Sequence, residues 1–214
     1  MKIQGVIFDV GGTLVDTQAA LLAAMRDTIA DFGLPQPDDA LLRANLGWSE
    51  PLLLRGLVPR ELEERATLDL VCRMREELEQ APAIAGVQEA LERLRGRGMR
   101  LAAASGFARP TLRSILARLA WEPYFEAVVS GDDVARPRPS PDLLIEAAGR
   151  LGLPVPACLA VGDSVFDLQS AQACGMPFAG VLSGAQAAEL AALLPPGEAL
   201  PSVAALPDSP LLTN

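Results

Sequence analysis

The chain has 214 residues, half of them hydrophobic, enough for one large domain or for a core domain with a small insert. A formal net charge of −9 argues against a nucleic-acid partner, and no apolar run is long enough to span a membrane. The absence of histidine removes Ser-His triads, His-bound metals and imidazole bases, and with Lys2 as the only lysine a Schiff base in a pocket is not expected. Acid–base or metal chemistry must then rest on carboxylates. The N-terminus carries no charged-then-apolar signal segment. Cys72, Cys158 and Cys174 lack a C-x-x-C spacing and read as buried thiols, so a cytoplasmic protein is expected.

In chain order, Ile3, Val6, Ile7, Phe8 and Val10 form a short apolar run suited to a strand buried on both faces. Asp9 interrupts that run just before the Gly11-Gly12 turn. Leu21, Leu22, Met25, Ile29 and Phe32 then predict a helix over 18–32, stopped at Gly33. Pro35 and Pro37 mark a loop, and residues 38–80 read as further helices with Leu70, Val71, Met74 and Leu78 on one face. No strand is predicted between residues 17 and 85. Val87, Ala90, Leu91 and Leu94 make the next helical stripe, ending at Gly96 and Gly98.

The pattern then alternates. Met99–Ala104 is a strand ending at Ser105-Gly106, and Pro110 begins a helix with Leu112, Ile115, Leu116 and Leu119. Ala127–Val129 is a strand ending at Ser130-Gly131. Ser140-Pro141 reads as the N-cap and first turn of a helix carrying Leu143, Leu144, Ala147, Ala148 and Leu151. Cys158–Val161 is a strand, Gly162-Asp163-Ser164 opens a helix that stops at Gly175, and Phe178–Leu182 is a further strand. The tail adds one short strand and one helix. Strands alternating with helices imply right-handed crossovers and a parallel sheet covered on both faces. The all-helical block, residues 16–84, interrupts that order and reads as a cap inserted over the ligand edge of the sheet.

Asp9, Ser105 and Asp163 follow strands, at the edge where open α/β sheets bind ligands. Asp163 and Asp167, four apart at a helix start, share a face near free backbone N–H groups. They either complement the helix dipole or join Asp9 around a cation. Oxygen-only ligands favour Mg²⁺. Ser105 either caps a helix or hydrogen-bonds a phosphate oxygen. Arg138, between Pro137 and Pro139, is either a solvated residue of a rigid turn or an aimed cation. Thr13 either offers its hydroxyl or N–H to a ligand or closes the turn.

With Asp9-Val10-Gly11-Gly12-Thr13-Leu14, Ser105, the loop Arg136 to Asp142, and Gly162-Asp163-Ser164-Val165-Phe166-Asp167 in this order, the sequence resembles the haloacid dehalogenase-like (HAD) hydrolase superfamily. Within it, the resemblance is to the phosphoglycolate phosphatase and β-phosphoglucomutase group. It implies a Rossmann-like, doubly wound α/β core in three layers, from residues 1–15 and 85–214, with an all-helical cap domain at 16–84. Asp9 would be the nucleophile that forms an aspartyl-phosphate. Mg²⁺ would be held by Asp9, the Val10 carbonyl, and one or both of Asp163 and Asp167. Thr13, Ser105 and Gly106 would hold the phosphate, and Arg138 would bridge nucleophile and phosphate. Trp48, Ser49 and Arg55 in the cap are candidates for substrate contact.

Two departures stand out. The family's second aspartate, two residues after the nucleophile, is here Gly11, and its usual lysine is Arg138. Losing general acid–base help costs about 10²–10⁴-fold in rate. A Mg²⁺-dependent phosphatase of a small phosphorylated metabolite, monomeric or dimeric, is therefore expected, with impaired turnover. The alternative is a phosphate-ligand binder with little turnover. A dehalogenase would need no metal, and a phosphonate hydrolase would want a cap lysine that residues 16–84 lack.

Overall fold

The apolar run before Asp9 forms β1 (Gly5–Phe8), fully buried, at the centre of the sheet. This arrangement comes from a computed structural model of the chain, which describes residues 2–49, 52–78 and 80–212. After β1 come α1 (Gln18–Asp31), α2 (Asp39–Asn45), α3 (Glu63–Leu78) and α4 (Val87–Gly96). The alternating part follows as β2 (Arg100–Ala104), α5 (Arg109–Arg118), β3 (Ala127–Val129), α6 (Asp142–Arg150), β4 (Cys158–Gly162), α7 (Val165–Cys174), β5 (Phe178–Val181), α8 (Ala187–Leu193) and β6 (Ala199–Leu200). Strand order is β3-β2-β1-β4-β5-β6, and every pairing is parallel.

Period-two alternation along β1 explains the layers. Val6 and Phe8 point into one core, with Leu101, Ala103, Leu159 and Val161 from the neighbouring strands and Leu91, Leu94, Leu112 and Leu116 from α4 and α5. Ile7 points the other way, into a core with Ala102, Ala104 and Ala160, and with Leu143, Ala147, Leu168 and Leu190 from α6, α7 and α8. Each large apolar side chain removed from water in this way contributes about 1.5–3 kcal/mol. A polar residue within β1 would face one core or the other, so Asp9, just beyond it, is the first position where a carboxylate fits.

Among the described residues, the segment between Gln18 and Gln80 contains no strand. It joins the sheet through two adjacent crossings. Val15 pairs with Ala83 in an antiparallel bridge, the Asp16 amide donates to the Pro82 carbonyl at 2.9 Å, and the Ile84 amide donates to the Leu14 carbonyl at 2.9 Å. The helices differ from the pattern in detail. The helices read over 38–80 are a seven-residue α2 and a later α3, kept apart where Gly47 (φ +99°), Gly56 (φ +73°) and Pro59 turn the chain. In α3 the buried stripe is Ala66, Leu70, Met74 and Leu78, and Val71 sits at its margin. The same period turns Cys72 outward; only Cys158 is buried, and Cys174 is half-buried, so the expectation of three buried thiols fails at two of them. Pro141, not Ser140, occupies the N-cap of α6, and the Ser140 hydroxyl donates to the Asp142 carboxylate at 2.8 Å instead. No helix among the described residues is long and apolar enough to cross a membrane.

Candidate active site

The sheet ladder carries three side chains to one edge. The Asp9 amide donates to the Val161 carbonyl at 2.9 Å and the Ser105 amide to the Val129 carbonyl at 3.0 Å, so each residue extends its strand by one register step. Asp163 follows β4 directly. Ser164 is the N-cap of α7, and Asp167, at the third helical position, closes a capping box with it. Asp163 therefore lies outside the helix. The two carboxylates meet because a loop residue folds over a first-turn residue, and the shared helical face expected from their spacing is not what brings them together. Ligand oxygens of Asp9, Asp163 and Asp167 all lie within 4.8 Å of one another, and all three residues are buried.

One cation sits among them. Arg138 is 7 % exposed, which rules out the solvated-turn reading. Its Nη2 donates to Asp9 Oδ1 at 2.5 Å and to the Ala104 carbonyl at 3.0 Å, and its Nη1 lies 3.2 Å from Asp167 Oδ1. Burial raises the Asp9 carboxyl to about 6; Arg138 pulls it down and Asp167 pushes it up. Asp163 is raised well above the usual carboxylate range, by burial first and then by the charges of Asp9 and Asp167. Burial works against the Arg138 charge, but Asp167 and Asp9 outweigh it and hold the guanidinium protonated. Three carboxylates with one guanidinium leave negative charge in excess.

The surrounding chain fixes these groups. The Thr13 hydroxyl donates to Asp163 Oδ1 at 3.0 Å. Asp167 Oδ2 accepts from the Ser164 amide at 3.1 Å and its hydroxyl at 2.5 Å. Gly12 (φ +79°) and Gly184 approach Asp163 so closely that a Cβ at either would overlap its carboxylate. The Val10 carbonyl accepts from the Leu14 and Val15 amides, both at 2.9 Å, so the oxygen expected to reach a metal is occupied within the turn. A compact set of buried carboxylate oxygens with no nitrogen or sulfur ligand fits a hard divalent cation.

A small cleft of about 40 Å³ opens over the cluster, lined by Asp9, Arg138, Asp163, Ser105 and Gly106 from the strand edge and by Trp48 from the helical segment. Ser105 is no helix cap. Its Oγ accepts from the Phe107 amide at 3.3 Å, and Ala108 holds the N-cap of α5. Trp48 packs on Phe166 with ring centroids 4.3 Å apart. Ser49 is buried behind Gly106, with its hydroxyl unpartnered. Arg55 is exposed and lines a different depression with Arg60 and Glu63, so the structure does not bring it to the cluster. Phe107, Thr17, Gln18 and Gly184, which the sequence reading did not single out, also line the cleft. A signal for Gly184 existed: Ser183-Gly184 comes one residue after β5, much as Ser105-Gly106 follows β2 and Ser130-Gly131 follows β3.

The family model for haloacid dehalogenase-like hydrolases matches residues 6–181. The chain is 32% identical over 186 residues to "Probable phosphatase IndB" of Dickeya dadantii, covering 84% of this chain and 81% of that protein. It is 33% identical over 192 residues to a phosphoglycolate phosphatase of Yersinia pestis, covering 85% and 82%. The crystal structure of CbbY from Rhodobacter sphaeroides in complex with phosphate shares the fold, with a TM-score of 0.78 at 22% identity over 95% of this chain and 96% of that one. The chain thus belongs to the haloacid dehalogenase-like hydrolase family, in its phosphatase branch.

Proposed function

We propose that the chain is a Mg²⁺-dependent phosphatase of a small phosphorylated metabolite, working through an aspartyl-phosphate at Asp9, with acid–base catalysis impaired at Gly11. The observation that carries it is the buried Asp9 carboxylate, held by Arg138 beside Asp163 and Asp167 at the open edge of the sheet. Residues 1–15 and 85–214 serve as the catalytic core and residues 16–84 as a cap, entered and left through the paired crossings at Val15 and Ala83.

Asp9 attacks phosphorus with one carboxylate oxygen while Arg138 orients it and balances its charge. Asp9 and Asp163 are the ligands for the cation, with Asp167 completing the set. Bound there, Mg²⁺ supplies positive charge against the phosphoryl oxygens. Thr13 acts through Asp163, whose carboxylate it orients. The Ser105 hydroxyl, already accepting from an amide, keeps its own proton to donate to a phosphoryl oxygen, beside Gly106. The test is steady-state hydrolysis of p-nitrophenyl phosphate with Mg²⁺. Asp9→Asn is expected to remove it with the fold intact; retention of most activity would exclude this mechanism.

A second reading, a phosphate-ligand binder with little turnover, is favoured by Gly11, which has no side chain to move a proton and where an added Cβ would lie 3.0 Å from Phe107 Cζ and Thr17 Oγ1. Thermal stabilisation by phosphate ligands without hydrolysis would select it. The name of the Yersinia relative makes phosphoglycolate one substrate to test.

A further inference from the structure

The geometry points to Gln186 as a positioning residue, which holds residues 46–49 of the helical segment down as the roof of the cleft; this rests on the phosphate site read above. Leu46, Gly47 and Trp48 line the cleft together with Asp9, Asp163 and Arg138. The space they enclose, about 40 Å³, takes about three waters. That is room for a phosphoryl group and little else, so a whole substrate enters, and its products leave, only when the roof lifts. Whatever seats the roof therefore sets how tightly a phosphate is gripped.

Each residue of the roof meets the core. Gln186 Nε2 donates to the Leu46 carbonyl at 2.9 Å, and its Oε1 accepts from the Val165 amide at 2.9 Å. One side chain thus ties the roof to the first turn of α7, the helix that carries Asp167. Among the described residues, this is the one hydrogen bond from residues 18–80 to any residue beyond 84. Gly47 lies so near Ser164 and Phe166 that a Cβ there would come within 2.9 and 3.0 Å of them. Trp48 packs on Phe166. Ser49 is buried against Gly106 with its hydroxyl unpartnered, and an unmade hydrogen bond opposes seating. The Gln186 bond offsets that cost and fixes where the roof lands. The loop that carries Gln186 is itself anchored at the acidic cluster. The Ser183 hydroxyl donates to the Gly12 carbonyl at 2.8 Å, and Gly184 lies directly against Asp163. Gln186 stands at the N-cap of α8 yet spends no side-chain bond on that helix.

Two variants separate the roof bond from the α7 bond. Gln186→Glu still accepts from the Val165 amide but cannot donate to the Leu46 carbonyl, whereas Gln186→Met loses both bonds. The chain has two tryptophans, and Trp121 is 1 % exposed, so collisional quenching by acrylamide reads Trp48. In the full chain with Mg²⁺, both variants are expected to raise the quenching constant at least about twofold. Both should weaken calorimetric binding of inorganic phosphate by about fivefold, because apparent affinity scales with the seated fraction. Gln186→Met adds no charge, so its loss is not repulsion of the anion. Thermal unfolding is expected to rank the variants differently: Gln186→Glu keeps a carboxylate at the start of α7 and should melt above Gln186→Met. A side chain that only braced the fold would lose phosphate affinity in the order of stability. Phosphate binding by the unmodified chain, with quenching and Kd unchanged in both variants, overturns the inference and leaves the phosphate site standing. Loss in Gln186→Met alone does the same, since it assigns the effect to the α7 bond. No phosphate binding by the unmodified chain with Mg²⁺ overturns the reading of the site and this inference with it.

Discussion

Gly11 has an ordinary backbone and tight surroundings. Its φ lies outside the left-handed region, so a side chain is not forbidden there by conformation. A Cβ would meet Phe107 Cζ and Thr17 Oγ1, each at 3.0 Å, so these two side chains must give by a few tenths of an ångström to admit one. Gly11→Asp alone is therefore expected to cost about 1–3 kcal/mol of stability through overpacking and to gain little turnover. Paired with Phe107→Ala, and measured against Phe107→Ala as its control, it should raise kcat/KM for alkyl relative to aryl phosphates by about tenfold or more. An unmodified protein that already treats both esters alike would show that the proton carrier comes from elsewhere. That position 11 carries no side chain is legible in the sequence; the nearness of Phe107, distant in the chain, is not. At Asp9 the sign of the pH effect is set by burial. A carboxyl raised from 3.8 to about 6 on folding favours the folded state most below pH 3.8, and that contribution is lost as pH rises to 6. Metal-free Asp9→Asn should accordingly be more stable than the unmodified chain at pH 8, by up to about 3 kcal/mol, and no more stable at pH 4. Thermal unfolding in chelator at the two pH values reads this, and equal differences at both would contradict it.

Between elements, Asp133 ties the loop that leads to Arg138. Its Oδ2 accepts from the Ser130 amide at 2.8 Å and hydroxyl at 2.6 Å, and its Oδ1 from Arg109 and Arg150, both at 2.9 Å. It thereby joins the end of β3 to α5 and α6. Burial opposes the charge of Asp133, yet Ser130 and Arg150 overcome it and hold the carboxyl well below its usual value. Both arginines are at least a third exposed, so water screens them and the Ser130 bonds carry more of the stabilisation. Asp133→Asn should cost about 2 kcal/mol at pH 7. Because the folded value is depressed, that advantage of the aspartate exists above pH 4 and is lost as pH falls further. Urea unfolding should therefore show the two proteins converging between pH 5 and pH 2, and a constant gap would remove Asp133 from this role. The Ser130-x-x-Asp133 spacing marks the capping box in the sequence, but nothing there marks the arginines, of which Arg109 lies 24 residues away. The strands β1 to β4 were legible because each is a short apolar run ended by Gly, Asp or Ser. The helical segment was less so: α3 shows its buried stripe, but the turns from Leu46 to Leu62 follow from Gly47, Gly56 and Pro59 acting together. Arg55 is a cap candidate for substrate contact by sequence, and those turns carry it to another surface.

For the whole molecule, the parallel sheet gathers Asp9, Asp163 and Asp167 from the end of β1, the loop after β4 and the start of α7, with Arg138 alone against three carboxylates, so their mutual repulsion opposes folding. A ligand that binds only the folded chain stabilises all of it, by about 2.7 kcal/mol at one hundred times Kd. Mg²⁺ should thus raise the midpoint of thermal unfolding of a chain whose net charge is −9, beyond what the same ionic strength of KCl does. The two aspartates should respond differently. Asp167 spends Oδ2 on Ser164 and Oδ1 on Arg138, whereas Asp163 has Thr13 as its side-chain partner. Asp167→Ala breaks the capping box of α7 and should lose about 1 kcal/mol without metal. It should nevertheless keep part of the response to Mg²⁺. Asp163→Ala removes a buried carboxylate whose ionisation is disfavoured, and should be as stable as the unmodified chain in chelator at pH 8. With its oxygens gone, most of the Mg²⁺ response should vanish. Calorimetric titration with Mg²⁺ alongside the melting curves separates affinity from baseline stability. A full Mg²⁺ response in Asp163→Ala, or an equal loss in both variants, would mean that the cation is not held by the oxygens that the loop after β4 presents.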